Sequence, residues 1–173
     1  MVNKIKVFVV DDSALMRKII SDMINAETEM EVIGTARNGE ELLLKIERFV
    51  PDVITLDIEM PHMDGITTLK RLKTVNRNVQ AIMLSSSSKA STELTMQCLE
   101  LGAFDFIAKP SGAISLDINK VKDELVQKIK LAYMQSESRN TMPFEKKITL
   151  NKVVSKNTIE RPLKVAATSI EAV

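Results

Sequence analysis

Five short runs of β-branched and apolar residues, at 5–10, 31–36, 53–56, 81–84 and 104–108, alternate along the chain with segments of helical periodicity. Runs of this length bounded by polar residues read as buried strands. Between the first two lie Leu15, Met16, Ile19, Ile20, Met23 and Ile24, a stripe that predicts a helix burying one face. The second helical segment opens with Asn38 and has Glu41 three residues later, a capping-box pattern. The third starts at Asp64-Gly65, where Asp64 can cap the free amides of the first turn. The fourth runs from about 90 to 101 and stops at Gly102, and the last carries Ile118, Val121, Leu125, Ile129 and Ala132 spaced by three or four. Such alternation predicts an α/β fold: a doubly wound, five-stranded parallel sheet with right-handed crossovers. Chemistry in such sheets gathers beyond the C-terminal ends of the strands.

Those ends carry a consistent set of groups. Asp11 and Asp12 follow the first run directly, Asp57 follows the third, and Glu59 lies two residues on. Ser85 and Ser86 end the fourth, and Lys109-Pro110 ends the fifth. A lone aspartate after a strand is most often a helix cap, and an Asp-Asp pair is common as a solvated turn. Four of five strand ends bearing groups of matching type argue for a site instead. Three converging carboxylates repel one another and raise each other's pKa unless a cation sits among them. Oxygen ligands of this kind suit Mg²⁺, which one or two carboxylates and a phosphate commonly hold. A hydroxyl and a lysine opposite can hold phosphoryl oxygens, so the set supplies the positioning and charge neutralisation of phosphoryl transfer.

Composition narrows the alternatives. Aromatic residues make up 3% of the 173-residue chain and there is no Trp, so base stacking has little material. The net charge of +1 gives no overall attraction to polyanions, and nucleic acid is not an expected partner. Cys98 is the only cysteine, which rules out an internal disulfide and suits a reducing cytoplasm. No signal run stands at the N-terminus and no apolar stretch approaches the ~18 residues of a membrane span. Cys98 and most of the ten methionines read as core filler, and Met96 as a candidate for an interaction face. His62, the only histidine, reads as an exposed loop residue, and Ser87, Ser88 and Ser91 as loop and cap residues. All five glycines precede residue 113, and residues 136–173 carry seven basic and four acidic residues. These shifts place a boundary near 135, with 1–135 a domain and 136–173 a linker or tail. The tail ends on apolar residues, as at the edge of a further domain.

The blocks "VFVVDDSALMRKII", "PDVITLDIEMPHMDGITTLKRL", "IMLSSSS" and "LGAFDFIAKPSG" occur in the order and spacing of response-regulator receivers, which residues 1–135 resemble along nearly their whole length. The resemblance implies a flavodoxin-like (βα)5 receiver fold. It implies that Asp57 is the phosphoacceptor, a carboxylate nucleophile that forms an acyl phosphate. Asp12 would be a direct Mg²⁺ ligand, Asp11 a second acid acting directly or through water, and the backbone carbonyl of Glu59 the remaining protein ligand. Lys109 would pair with the phosphoryl group, Ser85 would be the switch hydroxyl, and Phe106 the aromatic that follows it.

A narrower likeness exists. The Glu in "TLDIEMPHMDG", the serine run and "LELGAFDFIAKP" are similar to the receiver half of the chemotaxis protein-glutamate methylesterases (CheB). This implies phosphorylation by a histidine kinase of the CheA type and control of a serine-hydrolase domain that demethylates chemoreceptors. No such hydrolase is encoded in these residues: no glycine follows Gly112, and one histidine cannot furnish a separate triad. The chain's own chemistry would be Mg²⁺-dependent self-phosphorylation. Two other readings remain: a stand-alone regulator whose +3 tail binds protein or DNA, and a Mg²⁺-dependent phosphohydrolase, which usually wants D-x-D where this chain has Asp57 and Glu59.

Overall fold

The computed structural model describes residues 3–76, 78–86, 91–109 and 116–141, with only the backbone described at 116, 117, 140 and 141. Strands β1 (Ile5–Val10), β2 (Met30–Ala36), β3 (Val53–Asp57), β4 (Gln80–Ser85) and β5 (Asp105–Ala108) alternate with helices α1 (Ala14–Asn25), α2 (Gly39–Phe49), α3 (Gly65–Val75), α4 (Thr92–Glu100) and α5 (Leu116–Thr141). All strand pairs are parallel, in the order β2-β1-β3-β4-β5. The chain reverses direction across the sheet at β1, so a crevice opens between the C-terminal ends of β1 and β3. The compact unit runs through Ser138. Among the described residues, no helix is long and apolar enough to cross a membrane.

The pleat of each strand divides the core in two. Phe8 and Val10 of β1 join Ile54, Leu56 and Met83 on one face, against Leu42, Ile46, Leu69, Leu72 and Cys98. Val7 and Val9 join Ile82, Leu84 and Ile107 on the other, against Ile20, Met23, Ile24, Leu125, Ile129 and Ala132. Helices α2, α3 and α4 therefore cover one face, and α1 and α5 the other. Both faces of the central strands are largely buried, which is why they read as near-continuous apolar runs, interrupted by exposed Lys6 in β1 and buried Thr55 in β3. Cys98 is fully buried, and burial pushes its thiol up, so it packs as an inert core residue.

Most helix starts follow their caps. The side chains of Ser13, Asn38, Asp64 and Ser91 accept from the amides of Met16, Glu41, Thr67 and Leu94. Three details differ from the sequence reading. Leu15 is 66% exposed: it and Met16 point 100° apart on the first turn, and Met16 is the one that packs against the core. Glu41 reaches back to the amide of Arg37 at 2.9 Å rather than to that of Asn38, while its other oxygen pairs with Lys45 at 2.6 Å. Helix α4 begins at Thr92 behind the Ser91 cap, and Gly102, at φ +95°, turns the chain away from it. Ser87, Ser88, Ala90, Pro110, Gly112 and the tail beyond 141 lie outside the described residues.

Gly65 ties the fold to the site. A Cβ there would collide with the carbonyl oxygen of Asp57 and lie 2.7 Å from Cα of Ile58, both backbone atoms that cannot swing away. The Gly65 amide donates to the Ile58 carbonyl at 2.8 Å, which seats the start of α3 directly on the end of β3. Gly65→Ala is expected to lower stability by about 2 kcal/mol through overpacking. Urea unfolding measures this, and an unchanged midpoint would contradict the close approach.

Candidate phosphoacceptor and metal site

The crevice between β1 and β3 gathers Asp11, Asp12 and Asp57, each offering a carboxylate oxygen within 4.8 Å of the others. Asp11 is held on three sides. Its amide donates to the Ala36 carbonyl at 3.1 Å, its Oδ1 accepts from the Ser13 amide at 2.9 Å, and its carbonyl accepts from Arg17 Nη1 at 2.7 Å. The same guanidinium nitrogen donates to the Asp12 carbonyl at 3.1 Å. With both carbonyls held by Arg17, the acidic turn is fixed. Asp11 is fully buried and Asp12 exposed, so the pair spans the wall and the mouth of the crevice.

Asp57 closes β3, where Leu84 on β4 is its register partner. It is 1% exposed, and its Oδ1 accepts from the Glu59 amide at 3.2 Å. Lys109 enters from the end of β5, whose strand position is fixed by its own amide donating to the Ser85 carbonyl at 2.7 Å. Its Nζ lies 2.7 Å from Asp11 Oδ2 and 2.9 Å from Asp57 Oδ2. One buried ammonium thus serves two buried carboxylate oxygens at once, and the Asp11–Asp57 pair carries more negative charge than it offsets. Burial raises the Asp57 carboxyl to about 6, with Lys109 lowering it and the charge of Asp11 raising it. Burial pushes the Lys109 ammonium down, but Asp11 and Asp57 outweigh it, and the net shift is upward.

At neutral pH the three carboxylates and one ammonium leave about two negative charges in a largely dry crevice. Two buried carboxylates that share a single ammonium, beside a third carboxylate open to solvent, fit a hard divalent cation that keeps water ligands. Asp11, Asp12 and Asp57 are the side chains that could hold it.

Of the other sequence candidates, Ser85 and Glu59 lie at the same edge, while Phe106 sits further back on its strand opposite Met83. Ser85 ends β4 fully buried, its hydroxyl donating to the Ser86 carbonyl at a long 3.3 Å. Phe106 is half-buried on β5 and packs against the core under α4. Glu59 is half-buried beside Asp57, and its side chain stands outside the carboxylate group. His62 is exposed in the same loop, in the left-handed region at φ 67°. Met96 is 52% exposed on α4. Arg17 escaped the sequence reading. Its only signal is a basic residue one turn into the helix after an Asp-Asp-Ser turn, and surface arginines are commonplace at such positions.

Comparison with known proteins agrees with this geometry. Residues 7–119 match the model of the response regulator receiver domain. The protein-glutamate methylesterase/protein-glutamine glutaminase of Bacillus subtilis is 58% identical over 125 residues, covering 72% of this chain and 35% of that protein. Its counterpart in Clostridium acetobutylicum is 47% identical over 170 residues, covering 98% of this chain and 46% of that protein. The chain thus spans between about a third and a half of the length of these relatives. Among solved structures, the response regulator domain of Thermotoga maritima CheB is 41% identical with a TM-score of 0.69, covering 82% of this chain and 100% of that one. A chain of the CheX-CheY-BeF3-Mg complex of Borrelia burgdorferi is 31% identical with a TM-score of 0.65, covering 76% of this chain and 90% of that one. This chain belongs to the response regulator receiver domain family, and its receiver is of the CheB type.

Proposed function

We propose that Asp57 accepts a phosphoryl group from a histidine kinase of the CheA type, and that the modified receiver switches on a chemoreceptor methylesterase joined to it or acting beside it. The observation that carries the reading is the buried Asp57 carboxylate with Lys109 Nζ 2.9 Å away and two further aspartates within reach of one cation. With its pKa raised to about 6, Asp57 is mostly ionised at neutral pH and less well solvated than an exposed carboxylate, which suits a nucleophile. A carboxylate oxygen attacks the phosphorus of a phosphoimidazole, the new P–O bond forms as the P–N bond breaks, and the imidazole leaves with its electron pair.

Asp12, Asp11, Asp57 and the Glu59 carbonyl are the groups assigned to hold Mg²⁺. That ion, when bound, neutralises charge on the phosphoryl oxygens. Lys109 already faces Asp57 and pairs with the transferred group. The Ser85 hydroxyl exchanges its long bond to Ser86 for a phosphoryl oxygen, and Phe106 on the neighbouring strand follows. Control of a methylesterase is supported by the curated relatives, whose names carry that activity and whose length exceeds this chain. The parts of the reading fit a cytoplasmic receiver at residues 1–135 with 136–173 as the connection to an output domain.

Two measurements test the site. Asp57→Asn is expected to abolish Mg²⁺-dependent labelling by acetyl phosphate, and labelling that persists at full stoichiometry would sink the assignment. The second concerns the metal-free chain. The folded pKa of Asp57, about 6, lies above its ordinary value of 3.8, so the native state favours the protonated form. That contribution is complete below pH ~4 and lost as pH rises through ~6. Asp57→Asn removes the penalty, so the variant should be more stable than wild type at pH 7–8 by on the order of 2 kcal/mol. The gap should close below pH ~4, and also when Mg²⁺ is added to the wild type at pH 8. Chemical denaturation across pH decides, and a gap independent of both pH and Mg²⁺ would contradict the charged, cation-binding crevice.

A further inference from the structure

Strand β5 lies at the edge of the sheet, bonded to β4 on one side. The peptide groups of Phe106 are engaged by charged side chains. Its amide donates to Asp105 Oδ1 at 2.7 Å, and its carbonyl accepts from Lys128 Nζ at 2.8 Å. Lys128 reaches there from α5 and also pairs with Asp105 Oδ2 at 3.2 Å and with Glu124 Oε1 at 2.8 Å. Its side chain is only 19% exposed. Water alone can satisfy an edge peptide, whereas immobilising a long, mostly buried lysine there costs side-chain entropy and desolvation. One ionic triad therefore grips both sides of a single residue of β5 and joins it to two turns of α5.

The gripped residue is close to the chemistry. From Phe106 the strand runs through Ile107 and Ala108, paired in register with Leu84 and Ser85, straight to Lys109. Three extended residues span about 10 Å and have little slack. Helix α5 is tied on its other flank to the α1–β2 corner, Lys122 to Glu27 at 3.2 Å and Lys130 to Glu29 at 2.6 Å. Among the described residues, Lys128 carries the polar contacts between α5 and β5.

We propose that Lys128 is a positioning residue that couples helix α5 to the Lys109 end of β5, so that occupation of Asp57 by a phosphoryl group is felt in α5 through the Asp105–Lys128–Glu124 clasp. The inference rests on the receiver reading and adds to it the residue through which helix α5 is linked. When Lys109 follows a phosphoryl oxygen, the strand end moves with it, and the clasp passes that displacement to α5 instead of letting β5 slide beneath the helix.

The test uses the full chain with Mg²⁺ and beryllofluoride as the phosphoryl mimic, read by amide hydrogen exchange. In wild type, protection is expected to change in the β4 and β5 ends and in α5. Lys128→Met, which keeps the apolar stem, should retain the change at β4 and β5 and lose at least half of that in α5. Lys128→Arg, which keeps the charge and donors, should restore it. Glu124→Gln, at a half-exposed position, should weaken the α5 response in the same direction and serves if Lys128→Met folds poorly. A full α5 response in both Lys128→Met and Glu124→Gln, or in Glu124→Gln where Lys128→Met does not fold, overturns the clasp alone. A wild-type chain in which β4 and β5 ignore the mimic overturns the receiver mechanism and the clasp together.

Discussion

Lys109 stands between two buried carboxylates, 2.7 Å from Asp11 and 2.9 Å from Asp57, and the rest of the structure is arranged around keeping it there. Buried charges of one sign are costly, and one ammonium offsets only part of three aspartates. The residual negative charge suits a dication and, under the proposed function, a phosphoryl group whose own charge that dication would offset. The two requirements are linked, because the same desolvation that raises the Asp57 carboxyl strengthens every electrostatic contact made to it.

The sheet supplies the rigidity that such a site needs. Asp11, Asp57, Ser85 and Lys109 come from four neighbouring strands, and their relative positions are set by register: Val10 opposite Leu56, Asp57 opposite Leu84, Ser85 opposite Ala108. Short bonds then lock the turns that follow. Arg17 holds the carbonyls of Asp11 and Asp12, Ile58 donates to the Leu84 carbonyl at 2.9 Å, and Gly65 lets α3 close on the end of β3. The apolar faces on either side, from Phe8 and Leu72 to Val7 and Ile129, make displacement of any one strand end expensive. On the opposite side the ties are polar, the long Ser85 bond and the ionic grip of Lys128 on β5, and under the proposed function this is the side that would move.

Much of this was legible in the chain itself. Strand segments rich in β-branched and apolar residues stand out between polar turns, so β1 was readable to its boundaries and the others to within one residue. Caps such as Asp64 and Ser91 announce themselves because their side chains act on amides only three residues away. The convergence of Asp11, Asp12, Asp57, Ser85 and Lys109 followed from their common place at strand ends in a parallel sheet. What escaped were contacts whose partners lie on other elements or one helical turn away. Leu15 looked like part of a buried stripe, yet the first turn offers the core only one of two adjacent positions. Glu41 carried the capping-box pattern but chose Arg37 and Lys45, a choice made by the path of the incoming chain.

The sequence alone determined the alternation, the parallel sheet and the type of charge at its edge, because these depend on local periodicity and on short-range capping. Tertiary structure decided that Lys109 faces both Asp11 and Asp57, that Asp57 is dry enough to titrate near 6, and that Lys128 closes over Phe106. Each of these depends on register and burial between residues distant in sequence, where a shift of one residue turns a side chain to the opposite face of the sheet.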